Sequence, residues 1–320
     1  LHTLRLCVMP FFMAPRYRNL DGSLPPALGN VFKWAVVDRV AGRRAHDPTP
    51  FTPPRLEHDG AALRDNTQDG RLTWIGHATW VVQLLGVNVI IDPIWAKAIG
   101  GMVPRWSQPG LTMAQLPRLD AVLVTHNHRD HMDAPTLRSL AAARRAIVPM
   151  GLGADMRSLG YQDIIELDWW KSTRLGDVTI TLVPSQHWSR RGIADSNATL
   201  WGGFVLEAAG RRVYHSGDTA YFDGFKQIAQ RTGPPEVALL PIGAYQPEWF
   251  MRRQHMNPQD AVNAGRDLQA QRILPMHWGT YQLTDEWMGE PPEKLKQILD
   301  GDPHMKPRVT LVPIGGMHTF

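Results

Sequence analysis

Residues 125 to 131 read Thr125-His126-Asn127-His128-Arg129-Asp130-His131, which puts three imidazoles and one carboxylate within six positions. Imidazole nitrogens and carboxylate oxygens are the donors that borderline divalent ions take, and a solvated loop rarely concentrates four of them. In an extended or loosely turning segment, successive side chains point differently. His126 and His128 then face one ion together, while Asp130 and His131 diverge toward a second position. Three further segments end in the same kind of group: TLVPSQH in His187, RRVYHSGD ahead of Asp218 at its last position, and RILPMH in His277. Together the seven groups offer each of two ions three terminal ligands plus one shared carboxylate. Asp218 is the natural bridge, because a carboxylate binds one ion through each oxygen. A pair of zinc ions about 3.5–4 Å apart lowers the pKa of a shared water toward 7 and clamps attacking and leaving oxygens, which suits phosphodiester hydrolysis.

Each of these groups follows an apolar stretch, so strands must deliver them. Strands are expected at RLTWI, TWVVQLL and VNVIID, and then at 120–125, 146–149, 178–183, 203–206, 212–215, 237–240, 272–275 and 309–312. Helical patterns fit 31–40, 134–143, 221–231, 258–269 and 291–299, with Asn257 as N-cap before Pro258 at the first helical position. Alternating strands and helices make the class α/β with mixed sheets. Residues 1–70 are rich in Pro and Arg and form a lead segment expected to pack on the core. The texture turns β-rich at Arg71, so the catalytic domain is expected over 71–320. Asp92, at a strand end in Ile91-Asp92-Pro93, is placed to orient a ligand histidine from behind, and His77 in Gly76-His77-Ala78-Thr79 is grouped with it.

The chain has 320 residues, 34 Lys+Arg against 30 Asp+Glu, a formal net charge of +4, 43% hydrophobic and 20% charged residues. That excludes wholesale disorder. A single Cys excludes an internal disulfide framework, Cys-rich structural zinc and iron–sulfur clusters, so any metal must use His and carboxylate. No apolar run is long enough to span a bilayer. The reading is a cytoplasmic protein or one peripheral to the membrane, with a targeting segment upstream of Leu1 left open. The apolar opening LHTLRLCVMPFFMAP reads as a nonpolar arm.

The chain resembles the metallo-β-lactamase fold hydrolases, whose hallmark is the His-x-His-x-Asp-His run at His126 to His131. Within them it is similar to the N-acylphosphatidylethanolamine-hydrolysing phospholipase D group. The segments TWIGHATWVVQL, IDPIW, VLVTHNHRDHMD, IIELDWW, PSQHWSRR, LWGGFVL, HSGDTAYFDGF, LPIGAYQPEWFMRRQHMNP and MHWGTY carry that narrower resemblance. It implies an αββα sandwich of two mixed sheets flanked by helices, with the metals at one edge. It also implies two zinc ions, the first held by His126, His128 and His187 and the second by Asp130, His131 and His277, with Asp218 bridging. Asp130, Asp218 and His255 would serve catalysis, and the Gln254-His255 pair would lie near the reacting group. No zinc-ligand Cys stands near the second position, which argues against destruction of β-lactam antibiotics.

Twelve Trp are many for this length, and Trp95, Trp106, Trp188, Trp249 and Trp278 fall beside the motif segments. Gln254, His255, Trp188 and Trp249 are therefore the expected substrate contacts. The run Trp249-Phe250-Met251-Arg252-Arg253 mixes apolar and basic side chains as a surface meeting anionic headgroups would. The expected partner is a phospholipid, with peripheral association to anionic membrane and no nucleic acid, since no basic, Gly-rich arm is present. Oligomerisation is left open. The alternative activity is a metallo-lactonase or phosphoester hydrolase acting on a small soluble substrate.

Overall fold

The computed structural model describes residues 16–25, 29–30, 33–38, 40–41, 50–64, 70–192 and 194–320. Its strands are β1 (Arg71–Gly76), β2 (Thr79–Leu84), β3 (Val87–Ile91), β4 (Ala98–Ile99), β5 (Val103–Pro104), β6 (Ala121–Leu123), β7 (Arg145–Pro149) and β8 (Asp163–Leu167). There follow β9 (Ser172–Leu175), β10 (Val178–Val183), β11 (Gly203–Ala208), β12 (Arg211–His215), β13 (Val237–Pro241), β14 (Arg272–Met276) and β15 (Met317–Thr319). One sheet runs β15-β1-β2-β3-β6-β7-β8 and the other β14-β13-β12-β11-β10-β9. Each is antiparallel at one side and parallel at the other, as β1 pairs β2 antiparallel and β6 pairs β7 parallel. In the second sheet β10 pairs β11 antiparallel and β13 pairs β14 parallel.

Period-two alternation explains the layers. Along β2, Trp80, Val82 and Leu84 join a core that also holds Val178, Ile180 and Leu182 of β10 and Phe204 and Leu206 of β11. Val81, between them, joins Ile90, Val122 and Val148 in a second core with Leu137, Leu152 and Met156. The first core lies between the sheets and the second under the helices Ala134–Ser139 and Gly153–Ser158. Both faces of β2 are thus covered, as an αββα sandwich requires. Trp74 stacks on Trp80 at 6.0 Å and packs at a tilt against Trp278 at 5.3 Å. Truncating such a buried ring costs about 3–5 kcal/mol. Helices Gly224–Thr232, Pro258–Asp267 and Glu290–Asp300 add Phe225, Ile228, Val262 and Leu295 to this apolar cluster, which continues through the second sheet to its other face. Asn257 caps its helix as expected, accepting from Asp260 N at 2.9 Å.

Several expected elements differ. The pattern at 309–312 forms only a bridge from Val309 to Ile273, and the strand at that end is β15 instead. The helix expected over 134–143 stops at Ser139 and resumes as a 3-10 turn, Ala141–Ala143, ended by Arg144 at φ 59°. Between 31 and 40 a π-type turn covers Lys33–Asp38. The described lead residues touch the core: Leu56 N donates to Ile314 O (2.8 Å), Tyr17 N to Asn197 O (3.1 Å), and Trp34 stacks on Phe250 at 5.5 Å. The apolar opening 1–15 lies outside the described residues. No helix among the described residues is long and apolar enough to cross a membrane.

Candidate metal centre

Every expected ligand sits at or just past the C-terminal end of a strand, and both sheets contribute. His126 to His131 follow β6, His187 follows β10, Asp218 follows β12 and His277 comes directly after β14. His77 and Asp92 come directly after β1 and β3. Three of these turn sharply out of the sheet in the left-handed region: His77 at φ 52°, Asp92 at φ 47° and His277 at φ 63°. Such backbone costs on the order of 1–3 kcal/mol per residue and concentrates at functional sites. Close backbone approach is also built in. A Cβ on Gly243 would meet His277 O at 2.3 Å, so only glycine lets that loop pass the ligand's backbone.

The side chains converge as the spacing suggests. His128 Nδ1 lies 2.9 Å from His126 Nε2 and 3.2 Å from His187 Nε2. Asp130, His131 and His277 form a second group, in which both imidazole Nε2 atoms lie 3.6 Å from Asp130 Oδ2. Asp218 stands between the groups: Oδ2 is 3.1 Å from His131 Nε2 and 3.9–4.0 Å from His187 and His126, while Oδ1 is 3.2 Å from His277 Nε2. His77 joins the second group through Nε2, 3.1 Å from Asp130 Oδ2, and His255 Nδ1 lies 4.0 Å from Asp218 Oδ2. The structure therefore brings all nine residues together.

The donor set fits divalent cations. His131 Nε2, His277 Nε2, His255 Nδ1 and Asp218 Oδ1 are buried with no hydrogen-bond partner, and an unpaired buried polar atom costs about 1–3 kcal/mol. Cations between them, on displacing any proton these nitrogens carry, would satisfy the four atoms together. The ring nitrogens that point away are mostly anchored. His131 Nδ1 lies 2.7 Å from Asp92 Oδ2, His187 Nδ1 2.8 Å from Gln254 O, and His126 Nδ1 3.0 Å from Thr125 Oγ1. Asp92 also accepts from Thr125 N and Thr125 Oγ1, each at 2.7 Å. Such partners fix tautomer and ring orientation.

Protonation differs between the groups. Burial, reinforced by His187, pushes His128 down to about 3, and burial pushes His187 down to about 4 and His126 well below 6.5. These three are neutral and ready to ligate. Burial also opposes charge on His131 and His277, but Asp218 and Asp130 outweigh it, holding His131 well above 6.5 and His277 at about 9. At neutral pH both therefore carry protons that a cation must displace. Loading at pH 7 in weak buffer is expected to release protons, and affinity at the second position should rise with pH between 6 and 9. Potentiometric titration during zinc addition checks this, and a loading curve flat from pH 6 to 9 would contradict it.

Residues 87–278 match the β-lactamase superfamily domain. The chain belongs to the metallo-β-lactamase superfamily. It is 34% identical over 300 residues to N-acyl-phosphatidylethanolamine-hydrolyzing phospholipase D 1 of Caenorhabditis elegans, covering 88% of this chain and 84% of that one. A metal-dependent hydrolase of Koribacter versatilis is 32% identical over 248 residues, covering 75% and 97%. Among solved structures, a possible metal-dependent hydrolase from Veillonella parvula superposes with a TM-score of 0.66 at 20% identity, covering 79% and 100%. The chain is thus a metal-dependent hydrolase with this superfamily's fold.

The hydrolase opens to solvent above the ligands through a cavity of about 460 Å³, lined by Trp34, Trp188, Arg190, Met251, Gln254 and His255 beside His128, Asp130 and Asp218. Trp188 packs edge-on against His128 at 4.7 Å. Trp249 lines a neighbouring cavity of about 630 Å³ that shares Trp188, Phe250 and Gln254 with the first. The other tryptophans beside the motif segments lie away from the mouth. Trp278 is core, Trp95 donates to Leu111 O at 2.8 Å, and Trp106 donates to Phe51 O at 2.7 Å. Phe250 is 7% exposed beneath Trp34, so it belongs to the packing and not to a headgroup surface.

Some supporting residues of the hydrolase carry no sequence signal. Asn19 Oδ1 in the lead segment accepts from His187 N at 3.1 Å and Trp201 Nε1 at 3.2 Å. Glu286, buried, accepts from three consecutive backbone amides, Ala244, Tyr245 and Gln246, at 2.5–3.2 Å, and from Thr284 Oγ1 at 2.6 Å. It orders the loop that leads into Trp249 and His255.

Proposed function

We propose that the hydrolase is a di-zinc phosphodiesterase that cleaves N-acylphosphatidylethanolamine-type phospholipids to phosphatidic acid and N-acylethanolamine. The observation that carries this reading is the open mouth, whose wall is largely apolar (Trp34, Trp188, Phe250, Met251, Leu283) around the His/Asp cluster. A small lactone or sugar phosphate would need a narrower, polar enclosure. The likeness to the Caenorhabditis elegans phospholipase supports the same substrate class.

Two zinc ions held by His126, His128 and His187 and by Asp130, His131 and His277, with Asp218 shared, would supply Lewis acidity and a water of lowered pKa. The chain's own groups do the rest. Burial, against the pull of Asp218, holds His255 well below 6.5, so it is a neutral imidazole able to donate one hydrogen bond to charge developing on the phosphoryl group. Gln254 lines the same mouth, its Nε2 donates to Phe250 O at 3.4 Å, and its buried Oε1 has no partner. The amide N–H of an N-acylethanolamine would satisfy that oxygen, and an ester or lactone offers no such donor. A turnover panel of N-acylated phospholipids, lactones and sugar phosphates tests the reading, and a rate confined to lactones would overturn it.

Capture from a membrane adds a separate expectation. Trp249 is 52% exposed, Arg252 and Arg253 are exposed beside it, and Lys33 Nζ lies 4.5 Å over the Trp249 ring. Replacing Trp249, Arg252 and Arg253 together by Ala, Gln and Gln should weaken binding to anionic vesicles and slow hydrolysis of aggregated lipid several-fold. Rates on a soluble short-chain phosphodiester should hold. The basic share of the loss should shrink at high salt, because exposed charges are screened beyond about 8–10 Å. Vesicle sedimentation with parallel kinetics decides it, and equal losses on both substrates would place these residues in the reaction instead.

A further inference from the structure

His128 differs from His126, His131 and His187 in what holds it. His126, His131 and His187 each have an outer ring nitrogen anchored to Thr125, Asp92 or Gln254. The outer nitrogen of His128, Nε2, is buried with no hydrogen-bond partner, so the ring's aim depends on its packing against Trp188 and on its backbone. That backbone turns tightly: His128 O accepts from His131 N at 3.1 Å and Met132 N at 2.8 Å. The carbonyls at the two ends of the turn point to one arginine. Arg191 Nη1 donates to Asn127 O at 3.2 Å and Met132 O at 2.9 Å. The segment of Arg191 is itself tied down, since Arg191 N and Gly192 N donate to Asp195 at 3.0 and 2.8 Å, and Arg129 Nη2 donates to Arg191 O at 3.4 Å. Arg191 also follows His187 by four positions, so one side chain links the two segments that supply the first group of ligands.

We propose that Arg191 is a positioning residue for His128: by gripping the Asn127 and Met132 carbonyls, it sets the turn that aims the His128 ring at the ion shared with His126 and His187. This rests on the two-ion reading and is independent of the substrate. Loss of a supporting partner around a metal typically costs 10–100-fold in affinity.

The test compares zinc release from the parent, Arg191→Met and Arg191→Lys proteins into a colorimetric chelator, with melting of each metal-free protein alongside. The parent should give up two ions, and Arg191→Met should release one of them about tenfold faster or more while the other keeps the parental rate. Arg191→Lys, which keeps a cationic N–H donor, should recover part of that retention. With cobalt(II) in place of zinc, the visible spectrum of one site alone should change. Metal-free melting temperatures should agree within a few degrees. Parental release of both ions, equal acceleration of both, or a metal-free Arg191→Met protein that melts far lower or does not fold would each overturn the proposal. In the last case Arg191 would be a residue of the fold. A parent that holds fewer than two ions contradicts the two-ion reading itself, which separates the two failures.

Discussion

Asp218→Asn is expected to lower turnover by about 10²- to 10³-fold or more while the fold survives. Asp218 reaches both groups of ligands, with Oδ2 3.1 Å from His131 and Oδ1 3.2 Å from His277. His131 and His277 hold its carboxyl well below the usual carboxylate range despite burial, so a full negative charge sits at the centre of the cluster at neutral pH. Asparagine keeps the volume and one acceptor but removes that charge, which should weaken at least one ion and the polarisation between the two. Metal content and steady-state kinetics read the two effects separately. Near-parental turnover in the variant would remove Asp218 from the bridging position.

Asp92→Ala should have the second largest effect, through a residue that need not touch substrate. It leaves three buried donors unpaired, Thr125 N, Thr125 Oγ1 and His131 Nδ1. At about 1–3 kcal/mol for each unsatisfied group, the metal-free protein should lose several kcal/mol of stability. Zinc affinity should drop by about 10–100-fold, because Asp92 is the hydrogen-bond partner that anchors His131 Nδ1. Asp92→Asn is the informative companion. It keeps an acceptor for Thr125 but cannot accept from Thr125 N, Thr125 Oγ1 and His131 Nδ1 as a carboxylate does, so stability should recover more than affinity. Denaturant melts and competitive zinc titrations measure both, and unchanged affinity in both variants would contradict the assignment.

The ligand set was legible because it is local: four of the seven groups lie within one six-residue run, and the other three end apolar strands. Asp92 was legible for the same reason, as a carboxylate where β3 ends. Arg191, Asn19 and Glu286 were not, because their chemistry comes from contacts across the chain. Arg191 meets carbonyls 59 and 64 positions away, Asn19 an amide 168 positions away, and Glu286 amides 40 to 42 positions away. In the fold, buried strands such as β2 and β13 announce themselves by composition. The edge strands β9 and β15 are largely half-exposed or exposed and carry little hydrophobic signal. The segment 309–312 misleads in the opposite direction. It is aliphatic, yet only Val312 is buried, and its backbone meets β14 through a single bridge. The tryptophans show the same limit. Five of the twelve tryptophans fall beside motif segments and suggest a lined groove, but one of the five, Trp278, is core, as are Trp74 and Trp80.

The central claim is hydrolysis at phosphorus by a centre built from the His126–His131 run, His187, Asp218 and His277. Its most direct test is product analysis by mass spectrometry after incubating the zinc-loaded protein with N-acylphosphatidylethanolamine in ¹⁸O-labelled water. Attack at phosphorus predicts one ¹⁸O in the phosphatidic acid and unlabelled N-acylethanolamine, with no products from the Asp218→Asn protein above its residual rate. Label in the N-acylethanolamine, or no cleavage of this lipid by a protein that carries two zinc ions, would contradict it.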